Sequence, residues 1–270
     1  MNELQKIQFD ILQWFVKICN QLNLTYFLVC GSALGAEKYG GFIPWDDDLD
    51  VALPRSDYEV FCRNAQRLLP DNLFLQNHHT DKEYPLIFSK IRNSDTTYIE
   101  NGYAGLNINH GVYIDVFPLD GYPLKKELQI SLENKKRKYQ LAYLSCLKTN
   151  QPLKIRLFLC FERLFGVNKR ITKYADDFEK LISSYSIDDS SLVCNHGNWQ
   201  GVLEYAEKSQ YGNGKIGTFE GLEVNLPADT DAYLTQKYGE WKKDLPEEQQ
   251  KGHHYYKVMD LSRPYTYYKN

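Results

Sequence analysis

No helix-length stretch of this 270-residue chain is free of charge, so the sequence offers no membrane-spanning helix. The N-terminus has no basic region followed by an apolar core, and no secretory leader is read there. Those two absences lead to an expected location in the cytoplasm, or peripherally on the inner face of the membrane. An excess of one charge is also missing. With 32 Lys and Arg against 35 Asp and Glu the net charge is −3, which excludes a generally basic nucleic-acid binder. Six cysteines (Cys19, Cys30, Cys62, Cys146, Cys160, Cys194) form no CxxC pair and no zinc-like spacing, so buried free thiols are expected. There are no internal repeats and no low-complexity tracts. The length allows one large domain or a domain with a sizeable insertion, and 43% hydrophobic residues suffice for a core.

The charge that is present is unevenly spread. Asp46, Asp47, Asp48 and Asp50 crowd into five residues behind bulky Phe42, Ile43, Pro44 and Trp45. Like charges that close repel, and a fold tolerates them when a shared positive charge sits between them. Hard divalent cations take oxygen ligands, and Mg²⁺ typically uses one or two carboxylates plus substrate phosphates. Alternation predicts a strand with Asp48, Asp50 and Ala52 on one face and Leu49, Val51 and Leu53 on the other. Upstream, Tyr26–Cys30 reads as a short strand, Gly31-Ser32 as a turn, and Ala33–Tyr39 as a helix start. That sequence makes a phosphate seat, because free N–H groups at a helix N-terminus point at the anion.

Periodicity predicts a helix over residues 3–22 and another from Arg55 to Leu69. Strands are expected at Leu73–Gln76, Leu86–Arg92, Thr96–Glu100 and Val112–Phe117. Asp115 is the lone acid inside the last of these. A buried unpaired carboxylate is expensive, so Asp115 requires either a metal shared with Asp48 and Asp50 or a buried Lys or Arg. Lys90 and Arg92 alternate on one strand face, where they would neutralise donor phosphates. Asp46 and Asp47 are read as further ligands or as acids that orient those two cations. From Pro123 to Ile187 the pattern turns helical and basic. Lys125–Lys173 carries 13 Lys and Arg against three Glu, a local +10. Within it Ile155, Phe158, Phe161 and Phe165 recur at helical spacing beside Lys154, Arg156 and Arg163. Such a stripe is more often core, but its basic flanks also suit an anionic membrane surface. Short strands follow at Lys215–Phe219 and Leu222–Leu226, then a helix over Thr230–Tyr238 closed by Gly239.

Several of these segments, in order, resemble the LicD family of phosphocholine transferases, which are related to the fukutin proteins. The carriers are Gly31-Ser32, then Gly41 through Asp50, then Arg55-Ser-Asp-Tyr58. They continue with Lys90-Ile-Arg92 and Thr97, Tyr113 through Asp120, Phe219-Glu-Gly221 with Pro227, Tyr233-Leu234, Tyr238-Gly239 and a His near residue 253. Where the family pattern has Arg and His, this chain has Lys38 and Tyr39, and Lys supplies a point charge where Arg forks. The resemblance implies an α+β, nucleotidyltransferase-like fold of the DNA polymerase β type. Its mixed sheet would be flanked by helices and carry a helical basic insertion. The implied division is a catalytic core over 1–122, the helical segment over 123–190 and a completing C-terminal part over 191–270.

It also implies a Mg²⁺-dependent (or Mn²⁺-dependent) transferase that moves phosphocholine from CDP-choline to a hydroxyl of a teichoic acid, capsule or lipopolysaccharide precursor. Catalysis and metal binding fall to Asp48, Asp50 and Asp115. The implied substrate contacts are Gly31, Ser32, Lys38, Trp45, Asp46, Asp47, Arg55, Lys90, Arg92, His253 and His254. His78 and His79 are candidates for the acceptor side. Trp45, Tyr84, Tyr103, Trp199 and Trp241 are candidates to cage a quaternary ammonium. Another CDP-alcohol as donor, nucleotidyl transfer to a small substrate, and a non-catalytic nucleotide-binding module are the alternatives. The expected partners are the CDP-alcohol and a glycan or lipid-linked saccharide, with no nucleic acid and a peripheral membrane contact through the basic segment.

Overall fold

The computed structural model of the chain describes residues 1–147, 153–197, 205–252 and 254–268. Its first helix, α1 (Glu3–Leu22), is started by a capping box: Asn2 Oδ1 accepts the Gln5 N–H at 2.8 Å, and Gln5 Oε1 accepts the Asn2 N–H at 3.0 Å. The buried stripe contains Ile11, Leu12, Phe15, Val16, Ile18 and Cys19. The other elements follow as β1 (Phe27–Leu28), α2 (Cys30–Tyr39), β2 (Asp50–Pro54), α3 (Arg55–Leu68), β3 (Leu73–Gln76), β4 (Ser89–Asn93), β5 (Thr97–Glu100) and β6 (Val112–Gly121). After them come α4 (Lys126–Cys146), α5 (Leu153–Leu164), α6 (Ile171–Ile182), β7 (Leu192–Cys194), β8 (Tyr205–Glu207), α7 (Lys208–Tyr211), β9 (Lys215–Phe219), β10 (Leu222–Leu226), α8 (Thr230–Tyr238) and β11 (Tyr256–Asp260).

The main sheet runs β1-β2-β6-β4-β3, and β7 and β8 extend it from the far end of β6. It is mixed: β2 and β6 are parallel, and the other pairs are antiparallel. β6 is buried along all ten residues, as a central strand covered on both faces must be. α1 and α3 pack against this sheet, with Phe15 and Phe61 in ring contact at 5.2 Å. β5 stands apart and pairs with β11, which brings residues 256–260 back beside residues 97–100. The α+β, mixed-sheet expectation holds. β7, β8 and β11 were not foreseen, because three to five residues with little alternation carry a weak periodic signal.

The basic segment is helical as expected. α4 and α6 bury their own apolar cluster, with Leu132, Tyr139, Ala142, Ile171, Ala175, Phe178 and Ile182 packed on Ile87. The stripe on α5 is not core. Leu153, Leu157, Phe158, Phe161 and Leu164 share one face with Phe165 just beyond, all exposed, Leu164 at 84% and Phe165 at 62%. Leu159, on the opposite side, is the residue that packs inward. The six cysteines are free thiols, but Cys160 on α5 is exposed, which corrects the expectation of burial at that position. No helix among the described residues is long and apolar enough to cross a membrane.

Behind β7, His196 is buried beside Cys194, Tyr122 and Phe178. Burial lowers its pKa to about 4, although Asp120 opposes the shift. The folded state therefore keeps this imidazole neutral at pH values where the unfolded chain, titrating near 6.5, takes up a proton. Stability is complete above about pH 6.5 and falls toward pH 4, by up to about 1.4 kcal/mol per pH unit from this residue. Urea unfolding at pH 7, 6 and 5 is expected to show a steeper acid loss for the wild type than for His196→Gln. Parallel curves for the two proteins would remove this account.

Candidate active site

Strand register brings the acids together. Asp50 opens β2 directly opposite Asp115 in parallel β6, and Lys90 on β4 lies opposite Asp115 on its other side. Three adjacent strands thus present Asp50, Asp115 and Lys90 side by side. Asp48 reaches the same place from the loop before β2, so its position comes from the path of that loop and not from strand alternation. Asp46, Asp48, Asp50 and Asp115 line one cleft of about 330 Å³ with Glu100, Lys90, His254 and the Cys30-Gly31 turn.

Lys90 Nζ is 2.6 Å from Asp115 Oδ1 and lies 3.4 Å from the centre of the Tyr113 ring. A buried lysine is thus the partner that Asp115 required, and a metal shared with the other acids remains compatible with it. Burial pushes the Asp50 carboxyl well above the ordinary carboxylate range; Asp48, Asp115 and Asp46 push the same way against Lys90. Asp115 is raised too, by burial, with Lys90 opposing and Glu100 and Asp48 adding to the shift. Glu100 behaves oppositely: burial would raise it, but Lys90, Arg92 and His254 hold it low. Excess negative charge built only from carboxylate oxygens suits a hard divalent cation, so the donor set fits Mg²⁺ or Mn²⁺. A second grouping overlaps it. Asp47, Asp48 and His254 bring one donor atom each within 4.8 Å of one another.

The acidic loop is held from outside the cleft. On α1, Gln5 Nε2 donates to the carbonyls of Ile43 (3.3 Å) and Asp46 (3.0 Å), and Gln8 Nε2 donates to Asp47 (2.9 Å) and Tyr113 (3.4 Å). His254 closes the other side, with Nδ1 2.9 Å from Asp47 Oδ1 and its backbone N–H on Asp47 Oδ2 at 3.1 Å. Gly31 allows the approach of Asp46, since a Cβ there would lie 2.9 Å from Asp46 Oδ2. Cys30 takes a left-handed φ of 53° at the mouth of α2, and its N–H donates to the Tyr233 hydroxyl of α8 at 3.1 Å. Backbone strain of this kind collects at working sites.

Residues 23–151 match the family described as LicD/FKTN/FKRP, nucleotidyltransferase domain. Over 94% of its length the chain is also 28% identical to the lipopolysaccharide cholinephosphotransferase LicD of Haemophilus influenzae, of which 96% is covered.

Not every residue that the LicD resemblance implied reaches the cleft. Ser32 is buried beneath it, and its Oγ accepts the Asp50 N–H at 2.8 Å, tying α2 to β2. Arg92 is 1% exposed and satisfied by Gln76, Gly111 and Glu100, so it supports the site from behind. Arg55 forks onto buried Asp120 through two 2.7 Å bonds and reaches Glu179 at 3.1 Å, outside the cleft. Lys38 contacts Asp244 and the carbonyl of Lys243, both at 2.9 Å, and Trp45 packs on Tyr39. For these five side chains the structure corrects the expected substrate contact: each is already committed to protein groups or packed beyond the cleft walls. Of the cage candidates Tyr103 lines the cleft, whereas Tyr84 and Trp241 are buried in the core. His253 and Trp199 lie outside the described residues.

Glu100, Tyr143, Lys237 and Tyr238 line the cleft without having been singled out as site residues. Each ends or edges an element far from the acidic run in sequence, and no local spacing marks them. The loop bonds of Gln5 and Gln8 were hidden in the same way, inside a helix read for its apolar stripe. Gln8→Leu removes the donor to Asp47 and Tyr113 at similar volume. Unpaired carbonyls there cost about 1–3 kcal/mol, and a misplaced acid loop costs turnover on the order of 10–100-fold. Turnover equal to wild type in a folded Gln8→Leu protein would show that the loop holds itself.

Proposed function

We propose that this protein transfers phosphocholine from CDP-choline to a hydroxyl of a cell-surface glycan, such as a lipopolysaccharide, teichoic acid or capsule precursor, on a nucleotidyltransferase-like core. The observation that carries this reading is the convergence of Asp48, Asp50 and Asp115 in one cleft beside a helix N-terminus. The first N–H groups of α2, at Gly31 and Ser32, precede the first intrahelical bond, which Ala33 N–H makes to the Val29 carbonyl. That geometry suits a diphosphate. Lys90 adds a cation to the same wall. Tyr103 and Tyr143, hydroxyl to hydroxyl at 2.7 Å, stand with Tyr238, Phe88 and Glu100 as an aromatic, acidic lining that suits a quaternary ammonium.

Asp48, Asp50 and Asp115 would hold the divalent ion, Mg²⁺ or Mn²⁺. When bound, that ion neutralises phosphate charge and stabilises the entering and departing oxygens. The chain's own part is positioning and proton transfer. The acceptor hydroxyl oxygen attacks the phosphorus that carries choline. Its proton passes to a carboxylate, the role we assign to Asp115 at the edge of the cleft. The bond from that phosphorus to the CMP oxygen breaks, and CMP leaves as the anion.

Release of CMP from CDP-choline with Mg²⁺ and an oligosaccharide acceptor tests this directly. Asp50→Ala and Asp48→Ala are expected to lower it by roughly three orders of magnitude or more; near-wild-type release in both would refute the assignment. Product mass separates the alternatives. A product that retains the base indicates nucleotidyl transfer, and another headgroup indicates ribitol phosphate, glycerol phosphate or phosphoethanolamine as cargo.

Peripheral contact with an anionic membrane belongs to the same reading, with a lipid-linked saccharide as acceptor. The outward apolar face of α5 lies in the segment of +10 charge, beside Lys154 and Arg156. A second copy of the chain would set that charge against itself, whereas an anionic bilayer complements it. Co-sedimentation with anionic vesicles is expected, weakening at high salt as attraction is screened, and lost in Phe158→Ser/Phe161→Ser/Leu164→Ser. Equal recovery with neutral and anionic vesicles would argue for a merely solvated helix.

A further inference from the structure

His78 and His79 do not lie in the acidic cleft. They follow β3 and face α6, in a separate opening shared with Arg55, Asp176 and Glu179. His78 is buried, with Nε2 3.2 Å from Asp176 Oδ1 and 3.3 Å from Glu179 Oε2. His79 Nε2 is 3.7 Å from the same glutamate oxygen, and the two imidazole rings are 3.9 Å apart. The other Glu179 oxygen, Oε1, accepts Arg55 Nη1, and Arg55 is itself anchored on buried Asp120. One oxygen of Glu179 is thereby fixed from behind, and the second is turned toward both imidazoles.

The spacing is what distinguishes this cluster from a plain ion-pair network. Charge-assisted hydrogen bonds close to about 2.7–2.9 Å, whereas these three contacts span 3.2–3.7 Å. Donors bound at about 2.0–2.2 Å to a tetrahedral ion stand roughly 3.3–3.6 Å apart along each edge. One donor atom each from His78, His79 and Asp176 lies within 4.8 Å of the others. His78 Nδ1 is buried with no hydrogen-bond partner among the described residues. His78 Nε2 thus faces two carboxylate oxygens, and with the ring proton on Nδ1 a cation held between them would take the Nε2 lone pair. Two imidazoles with carboxylates select first-row transition ions over Mg²⁺ or Ca²⁺.

We propose that His78, His79 and Asp176 bind one divalent transition-metal ion of the zinc class, with Glu179 Oε2 as the carboxylate oxygen beside the two imidazoles. Arg55 is the outer-shell group that orients Glu179. The ion pins the loop after β3 to α6. Because α6 packs on α4, and α4 supplies Tyr143 to the cleft, the pin fixes the helical segment against the core. Its role is structural and independent of the transfer reaction.

Co²⁺ reads this out, since a tetrahedral nitrogen–oxygen site gives visible absorption on binding. Chelator-treated protein, dialysed against Co²⁺, is expected to retain one equivalent, and so is Asp48→Ala, which lacks a carboxylate of the cleft. His79→Ala/Asp176→Asn is expected to bind at least tenfold more weakly and to stay folded, because those side chains are 65% and 52% exposed. No Co²⁺ retained by the wild type, or equal retention by the double variant, overturns the site. Loss in Asp48→Ala instead would assign the ion to the group of Asp47, Asp48 and His254, and overturns it equally.

Discussion

Burying carboxylates beside one another costs free energy twice, once for leaving water and once for mutual repulsion, and this protein does so at the centre of its sheet. Asp50 and Asp115 sit on neighbouring strands with Asp46, Asp48 and Glu100 around them, and Lys90 supplies the closest opposing charge. Nothing in packing alone requires such an arrangement. Apolar residues at Asp50 and Asp115 would suit a central, fully covered strand pair better. The acids are a local conflict with the fold, and conflicts of that kind collect where a protein meets a ligand.

The rest of the architecture can be understood as what holds that charge in place. Parallel pairing of β2 and β6 sets two acids opposite each other, and antiparallel β4 brings the lysine. Two glutamines on α1 hold the acidic loop by its backbone carbonyls, where they add no charge of their own. The C-terminal part returns twice. β11 pairs with β5 and carries His254 to Asp47, and α8 delivers Tyr233 to the strained Cys30 turn. These supports are far apart in the chain, so the cleft forms only once the whole fold has closed. The apolar cluster of α4 and α6 adds a wall bearing Tyr143, while α5 turns a greasy, cationic face outward.

Ion pairing divides the cations into two populations. Arg55 and Arg92 are both committed to the protein: half-buried Arg55 binds Asp120 and Glu179, and buried Arg92 binds Gln76, the Gly111 carbonyl and Glu100. A guanidinium with its donors filled stiffens a scaffold and has little left to offer a phosphate. Lys90 is different, because one ammonium shared between a carboxylate and an aromatic face keeps donors in reserve. Sequence spacing cannot separate these cases, since Lys90 and Arg92 occupy the same strand face.

Local pattern alone was enough for the helices over residues 3–22, 55–68 and 230–238, the strands at 73–76, 215–219 and 222–226, and the mixed α+β class, because 3.6- and 2-residue periods are imposed by neighbours in the chain. It was enough as well to single out Asp48, Asp50 and Asp115, which the fold brings into one cleft, since clustered or lone acids betray themselves by composition. Tertiary structure alone decided that Asp115 pairs with Lys90, that Glu100 and Tyr143 join the cleft, that Arg55 is spent on Asp120, and that the α5 stripe faces outward. The physical reason is the same in each case. Whether a side chain is satisfied, exposed or free depends on what stands across from it, and those partners are tens to hundreds of residues away.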